Sequence, residues 1–170
     1  MVKRKLLFLL CLIAAFSFTS CAFPAGSSSP EEYMLGEELC VTMSSGFKAS
    51  EDMPGADVYL SKGDECALYA VRDTAETLGG YGYDPDGIDL AAYFDLVCAA
   101  NGISPEPSDG SQEPYAVFRR TAGETEYWYY VTVRECPGAF WTVYLISPVR
   151  EGEERAPQTL FDYGSSIRVI

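Results

Sequence analysis

"YAVFRRTAGETEYWYYVTVRECPGAFWTVYLIS" occupies Tyr115 to Ser147 and decides the fold. It holds three runs of mostly β-branched and aromatic residues: Tyr115–Thr121, Glu126–Arg134 and Ala139–Ser147. Such side chains fill pleated, half-buried surfaces, and runs bounded by turn residues read as strands. The connections Ala122–Thr125 and Glu135–Gly138 each carry a glycine and are short enough for hairpins. The stretch therefore predicts an antiparallel meander. Side chains alternate across a sheet, so Trp128 and Tyr130 share one face and Tyr129 takes the other. Both faces are aromatic. A small domain short of helix would leave one of them bare, and Trp128 and Tyr130 are then the candidate binding anchors. Aromatics are enriched at interface hot spots, and they equally fill cores.

Working outward, Leu90, Phe94, Val97, Cys98 and Asn101 keep helical spacing, which predicts an amphipathic helix over Leu90–Ala100. Asp89 suits its N-cap and Asn101-Gly102 its end. Leu39–Met43, Ala56–Leu60 and Glu65–Arg72 read as strands, with a turn at Ser61–Asp64. Gly79–Gly87 and Ser104–Glu113 read as loops. Pro157 suits the first turn of a last helix with Leu160, Phe161 and Gly164 on one face, and Ile167–Ile170 reads as a closing strand. Gly164 is odd there, because glycine costs about 1 kcal/mol relative to alanine inside a helix.

The first 20 residues have a different character. Lys3, Arg4 and Lys5 precede an unbroken apolar run, Leu6–Phe16. That run is about half the roughly 20 residues needed to span a bilayer and has the length of a signal-peptide core. Residues 1–20 are therefore expected to be a signal peptide. Phe18-Thr19-Ser20-Cys21 resembles a bacterial lipobox, which implies cleavage before Cys21 and a diacylglyceryl thioether on it; the rival is an ordinary signal peptidase reading the small Ser20 and Ala22 and cutting after Ala22. The stretch after Cys21 is small and polar and then acidic, which predicts a flexible tether over 21–36 with a reach of roughly 20 Å. Residues 37–170 are expected to form a single α+β domain.

The chain carries 12 basic and 25 acidic residues, and loss of Lys3, Arg4 and Lys5 leaves a net charge of −16. With no basic stripe, nucleic acid is excluded as a partner. Anionic headgroups would repel such a chain, so the acyl group at Cys21 is the expected membrane contact.

The absence of histidine removes Ser-His-Asp and Cys-His catalysis and the common zinc sites. No CxxC, GxxxxGK[ST] or GxGxxG is present. Ser45-Gly46-Phe47-Lys48 spells SxxK but follows a strand and lacks its companion motifs. Asp84–Asp89 looks calcium-like, yet centring the loop on Gly87 puts Gly82 and Tyr93 at the two ends, where carboxylates are needed. No cofactor or metal is expected. Of Cys40, Cys66, Cys98 and Cys136, the first two lie in strand patterns and Cys98 on the apolar helix face, so the four read as free thiols more than as disulfide halves, although an exported compartment permits both.

Gly46-Phe47, Phe140-Trp141 and Ser165-Ser166-Ile167, set in "YLSKGDECALYAVRDT", "FWTVYLISP" and "YGSSIRV", resemble small clostridial-type secreted lipoproteins and, more distantly, the PsbP/Mog1-like α/β/α sandwich. The resemblance implies a meander flanked by helices and a non-enzymatic binding or assembly role with an envelope protein partner. The expectation is thus an extracytoplasmic lipoprotein on the outer face of the bacterial cytoplasmic membrane. The alternative is an envelope hydrolase with paired carboxylates.

Overall fold

The structure is a computed structural model and describes residues 29–50, 53–84, 87–104 and 113–170. The expected signal peptide and Cys21 lie outside the described residues. Nine strands and three helices are formed among them. Two antiparallel sheets and the helices make an α+β fold.

The strands are β1 (Pro30–Leu35), β2 (Leu39–Ser44), β3 (Lys48–Ala49), β4 (Val58–Lys62), β5 (Cys66–Thr74), β6 (Tyr115–Ala122), β7 (Thr125–Cys136), β8 (Ala139–Pro148) and β9 (Arg168–Val169). The main sheet runs β3-β4-β5-β8-β7-β6, and a second one runs β1-β2-β9. The meander is the expected one: β6 pairs antiparallel with β7, and β7 with β8. Gly123 and Gly138 take positive φ in its two turns, at 62° and 76°, a region open to glycine at no steric cost.

The helices are α1 (Ala75–Gly80), α2 (Leu90–Asn101) and α3 (Gln158–Ser165). Asp89 caps α2 by accepting from the Ala92 amide at 2.8 Å, and Gly102 ends it in the left-handed region. α1 arises where only a loop is expected from Gly79 onward. Thr74 caps it through the Thr77 amide, and Leu78 is its one buried anchor.

The main sheet separates two cores. On one face, α1 and α2 lay Leu78, Tyr93, Phe94 and Cys98 onto Tyr127, Tyr129, Val131, Val133, Phe140 and Tyr144. On the other, α3 and the small sheet bring Leu160, Leu35, Leu39, Val41 and Met43 onto Trp128, Tyr130, Trp141, Val143 and Leu145. The second face is thus covered by one helix and a sheet, where helices alone are expected from the sandwich resemblance.

Two expectations need correction. The tether drawn over 21–36 cannot extend to residue 36: β1 is fully paired with β2, from Pro30 opposite Ser44 to Leu35 opposite Leu39. Leu35 is wholly buried and Tyr33 packs edge-on to Phe47, so burial offsets the ordering of this segment. Residues 21–28 lie outside the described residues. Trp128 and Tyr130, expected as exposed anchors, are core residues at 9% and 5% exposure. The Arg119 guanidinium sits 4.1 Å over the Trp128 ring. Tyr130 stacks on Tyr115 at 5.2 Å and meets Phe161 edge-on at 5.6 Å.

Tyr130 also explains Gly164. A Cβ on Gly164 would overlap the Tyr130 ring. The glycine is therefore a seat for the ring, and its helix penalty is offset by burial of a tyrosine. Three polar contacts fix the small sheet to the large one. Glu38 accepts two hydrogen bonds from Arg72, both at 2.7 Å, and one from the Trp141 indole at 2.7 Å. The Arg72 and Trp141 hydrogen bonds hold the Glu38 carboxyl down at about 2.

Gly164→Ala is expected to destabilise by about 1–3 kcal/mol, the usual range for overpacking, against the stabilisation that alanine gives an open helix position. In a Tyr130→Leu background the same change should cost nothing or stabilise. Urea unfolding of the double-mutant cycle checks this, and equal costs in the two backgrounds would contradict the ring–glycine fit.

Candidate functional site

The face under α1 and α2 is not sealed. A recess of about 60 Å³ opens between β5, β8, α2 and the loop after α1. Its walls are Tyr81, Tyr83, Tyr93 and Tyr144, with Val71, Leu78, Leu96 and Val97, and it holds one carboxylate, Asp73.

Each polar group is placed by its element. β5 is nine residues long, and its register opposite β8 puts Val71 across from Thr142 and Asp73 across from Phe140, on the α2 side of the sheet. Alternation alone thus turns Asp73 toward the core. Tyr93 lies one turn into α2 and donates its hydroxyl proton to Asp73 Oδ2 at 2.7 Å. The Tyr93 and Thr142 hydroxyls are 2.9 Å apart. A phenol has one proton, and Tyr93 gives it to the carboxylate, so Thr142 donates to Tyr93. Asn101, at the end of α2, donates to the Tyr144 hydroxyl at 2.9 Å and to the Val97 carbonyl at 2.8 Å.

Asp73 is the odd group in this set. Burial pushes its carboxyl above the usual aspartate range, the Tyr93 hydrogen bond partly counters this, and Asp57 adds to it. None of the ion pairs among the described residues involves Asp73. A charge drawn out of water is normally paired. Here a single phenol supports it, and Oδ1 has no hydrogen-bond partner among the described residues. Burial also raises Tyr93, Tyr144 and Tyr81 above the ordinary tyrosine range.

A second cleft, of about 160 Å³, lies on the opposite face between the β4–β5 turn and α3. Lys62 Nζ reaches Ser44 Oγ at 3.2 Å, and Tyr163 donates to the same oxygen at 2.8 Å. A serine beside a lysine suggests a nucleophile and its base. Lys62, however, is held in an ion pair with Glu65 at 3.3 Å. Ser44 instead ties the end of β2 to α3, since its amide also donates to Tyr163. Within this cleft Lys62 is paired with Glu65, and Glu153 accepts from the Arg150 amide at 3.2 Å.

The SxxK pair falls on a turn and on β3, with Lys48 exposed, so no helix brings Ser45 and Lys48 together. Of the calcium-like loop, Asp84 and Gly87–Asp89 are described and Asp89 serves as the α2 cap. No group of three or more His, Cys, Asp or Glu side chains among the described residues could hold a metal ion. Cys40, Cys66, Cys98 and Cys136 are free thiols. Burial pushes Cys66 up to about 12 and Cys98 up to about 11, so neither supplies a thiolate at neutral pH.

The sequence singles out none of the recess residues as functional. Its signals there are weak: an aspartate at an inward position of a strand, and tyrosines interleaved with glycines in "GGYGYD".

The chain matches no protein-family model and no curated protein. Among solved structures, it matches a crystal structure from Bacteroides thetaiotaomicron VPI-5482, determined at 1.50 Å resolution, at 11% sequence identity with a TM-score of 0.47. The match covers 81% of this chain and 49% of that one, so the chain spans about half the length of its neighbour. Similarity at that level carries no functional argument.

Asp73→Asn is expected to raise the thermal midpoint at neutral pH. A carboxyl whose folded pKa lies above its unfolded value loses stabilisation as pH rises through the interval between the two, and the loss persists above it. The asparagine carbonyl still accepts from Tyr93 and carries no charge. The gain should shrink below pH 4, where the aspartate is protonated in both states. Melting curves from pH 3 to 8 check this, and a variant less stable than wild type at pH 7 would contradict it.

Proposed function

We propose that this protein is an exported lipoprotein, tied through Cys21 to the outer face of the bacterial cytoplasmic membrane, that works as a non-enzymatic binding module. The observation that carries the binding role is the tyrosine-walled recess with its unpaired, half-buried carboxylate. Ligand sites are concave and mostly apolar with a few convergent polar groups, and a site that retains a costly buried charge trades stability for function. The recess replaces Trp128 and Tyr130 as the binding locus, because those two side chains are interior.

The anchoring half of the proposal rests on the basic start, the short apolar run and the lipobox-like Phe18–Cys21. No helix among the described residues is long and apolar enough to cross a membrane. With β1 beginning at Pro30, the segment after Cys21 is short, and the domain would stand close to the lipid surface. Helices on both faces of an antiparallel sheet support the resemblance to PsbP-like accessory proteins. A carboxylate-pair hydrolase gains less support: glycoside hydrolysis needs two carboxyl groups across one site, and the recess lining has one.

Two measurements test this. In cell fractionation the full chain should pellet with membranes, and Cys21→Ser should be released or accumulate as precursor; a variant that still pellets overturns the anchor. In thermal-shift titration against a mixed panel of small cations, anions and neutral aromatics, at least one compound should stabilise the wild type and lose its effect in Tyr83→Ala. If no compound in the panel acts through the recess, the binding role is wrong.

A further inference from the structure

We propose that the recess takes a primary ammonium group on a slender apolar stem, the chemistry of a lysine side chain, with Asp73 Oδ1 as counter-charge and the tyrosine rings as walls. The inference rests on the binding reading above and names its ligand class.

Three observations converge on it. The first is charge. Asp73 is the one carboxylate of the recess and has no cation from the protein, while Arg72 beside it in sequence faces the other way and is taken up by Glu38. A ligand ammonium would supply the missing partner, and the low dielectric of the recess would strengthen that pair relative to one in water. An anion would meet a carboxylate in a lining without a basic side chain; Arg120, beside it, is engaged with the Asn101 carbonyl at 2.6 Å.

The second is the walls. Tyr81, Tyr83, Tyr93 and Tyr144 line the recess together with the carboxylate. A cation over an aromatic face is attracted by the ring quadrupole. Neutral apolar ligands would also find these walls favourable, but would leave Asp73 desolvated and unpaired, which disfavours them.

The third is size. About 60 Å³ of water-sized space corresponds to a few waters, since about 10–15 Å³ holds one. An ammonium with its last methylenes fits that volume. A trimethylammonium head, as in choline, is too broad for it. The ammonium brings three donors, and Oδ1 is the acceptor left open because Oδ2 is engaged by Tyr93. The acidity of the whole chain, at a net −13, further favours the approach of cations.

The polar cleft on the other face does not compete for this role. Its lining carries Lys62 and Arg150 beside Glu65 and Glu153, so an incoming ammonium would meet like charge there.

Calorimetric titration of the full-length protein in detergent tests the proposal, with n-butylammonium, Nα-acetyl-lysine methylamide, glycinamide, choline, butyrate and n-butanol as probes. Butylammonium and the lysine derivative should bind, choline and butyrate should not, and Asp73→Asn should weaken amine binding at least tenfold while Tyr83→Ala weakens it less. The lysine derivative binding more tightly than glycinamide assigns the group to a side chain, and the reverse order assigns it to a chain terminus. Binding should fall as pH drops through the titration of Asp73. Tyr93 on α2, Thr142 on β8, Tyr69 on β5, Tyr81 after α1 and Asp57 before β4 are the groups around it, with Arg120 on β6 acting on Tyr144. If butanol binds as well as butylammonium, or Asp73→Asn leaves amine binding intact, the ammonium assignment is wrong while the recess remains a binding site. If none of the probes binds, the ammonium assignment falls, and the broader panel above decides the fate of the binding reading separately.

Discussion

A buried guanidinium holds the end of the last helix, α3, in place on the main sheet. Arg134 lies on β7 at 2% exposure, on the face that α3 covers. Its nitrogens donate to the Gly164 carbonyl at 3.1 Å, the Ile167 carbonyl at 3.3 Å, the Thr132 hydroxyl at 2.6 Å and its neighbour's carbonyl at 2.8 Å, and it pairs with Glu113. The last carbonyls of a helix have no partner within the helix and carry the negative end of its dipole. Arg134 answers both needs from the sheet beneath. Burial lowers its pKa and Glu113 opposes that, but an arginine stays charged across any ordinary pH. The clamp therefore does not titrate. From it follow the end of α3, the seat of Tyr130 on Gly164, and the direction in which the chain leaves toward β9.

The two faces of the main sheet have been put to different uses by one alternation. Trp128, Tyr130, Trp141, Val143 and Leu145 point toward α3 and the small sheet, where packing is close enough that a single methyl at Gly164 would not fit. Tyr127, Tyr129, Phe140 and Tyr144 point toward α1 and α2, where coverage is thinner. α1 is a six-residue helix with two glycines at its end and a single buried side chain. The gap this leaves over β5 and β8 is the recess. A cavity there could have been filled by one larger apolar residue at position 73. An aspartate stands there instead, held by Tyr93, whose hydroxyl is in turn met by Thr142.

Much of the architecture is legible in the sequence. The meander is plain because β-branched and aromatic residues saturate Tyr115–Ser147, and α2 because its cap, apolar spacing and terminal glycine agree. β1 escapes sequence reading because Pro30-Glu31-Glu32 looks like more of the polar segment before it, and the alternating Tyr33 and Leu35 are too few to outweigh that. α1 escapes it because Gly79-Gly80 masks the capped turn at Thr74–Leu78. The binding locus is misplaced by sequence for a different reason. Periodicity tells which residues share a face and nothing about what lies over it, so Trp128 and Tyr130 are equally readable as anchors and as core. Asp73 has no local signal: its meaning comes from Tyr93, twenty positions on, and from Thr142, which is further still.

The small sheet places the two ends of the domain side by side. β9 pairs with β2 through Val169 opposite Leu39 and Arg168 opposite Cys40, and the Ser166 hydroxyl bridges both backbone groups of Thr42 across 124 positions of sequence. The Ile170 amide donates a hydrogen bond to the Glu38 carbonyl at 3.0 Å. A chain made or threaded from its first residue onward would carry β1 and β2 for almost its whole passage without their third strand. Contacts so distant in sequence are slow to close, and an isolated two-stranded hairpin is marginal in water. Closure of the small sheet thereby waits on β9, which is made long after the two strands it completes.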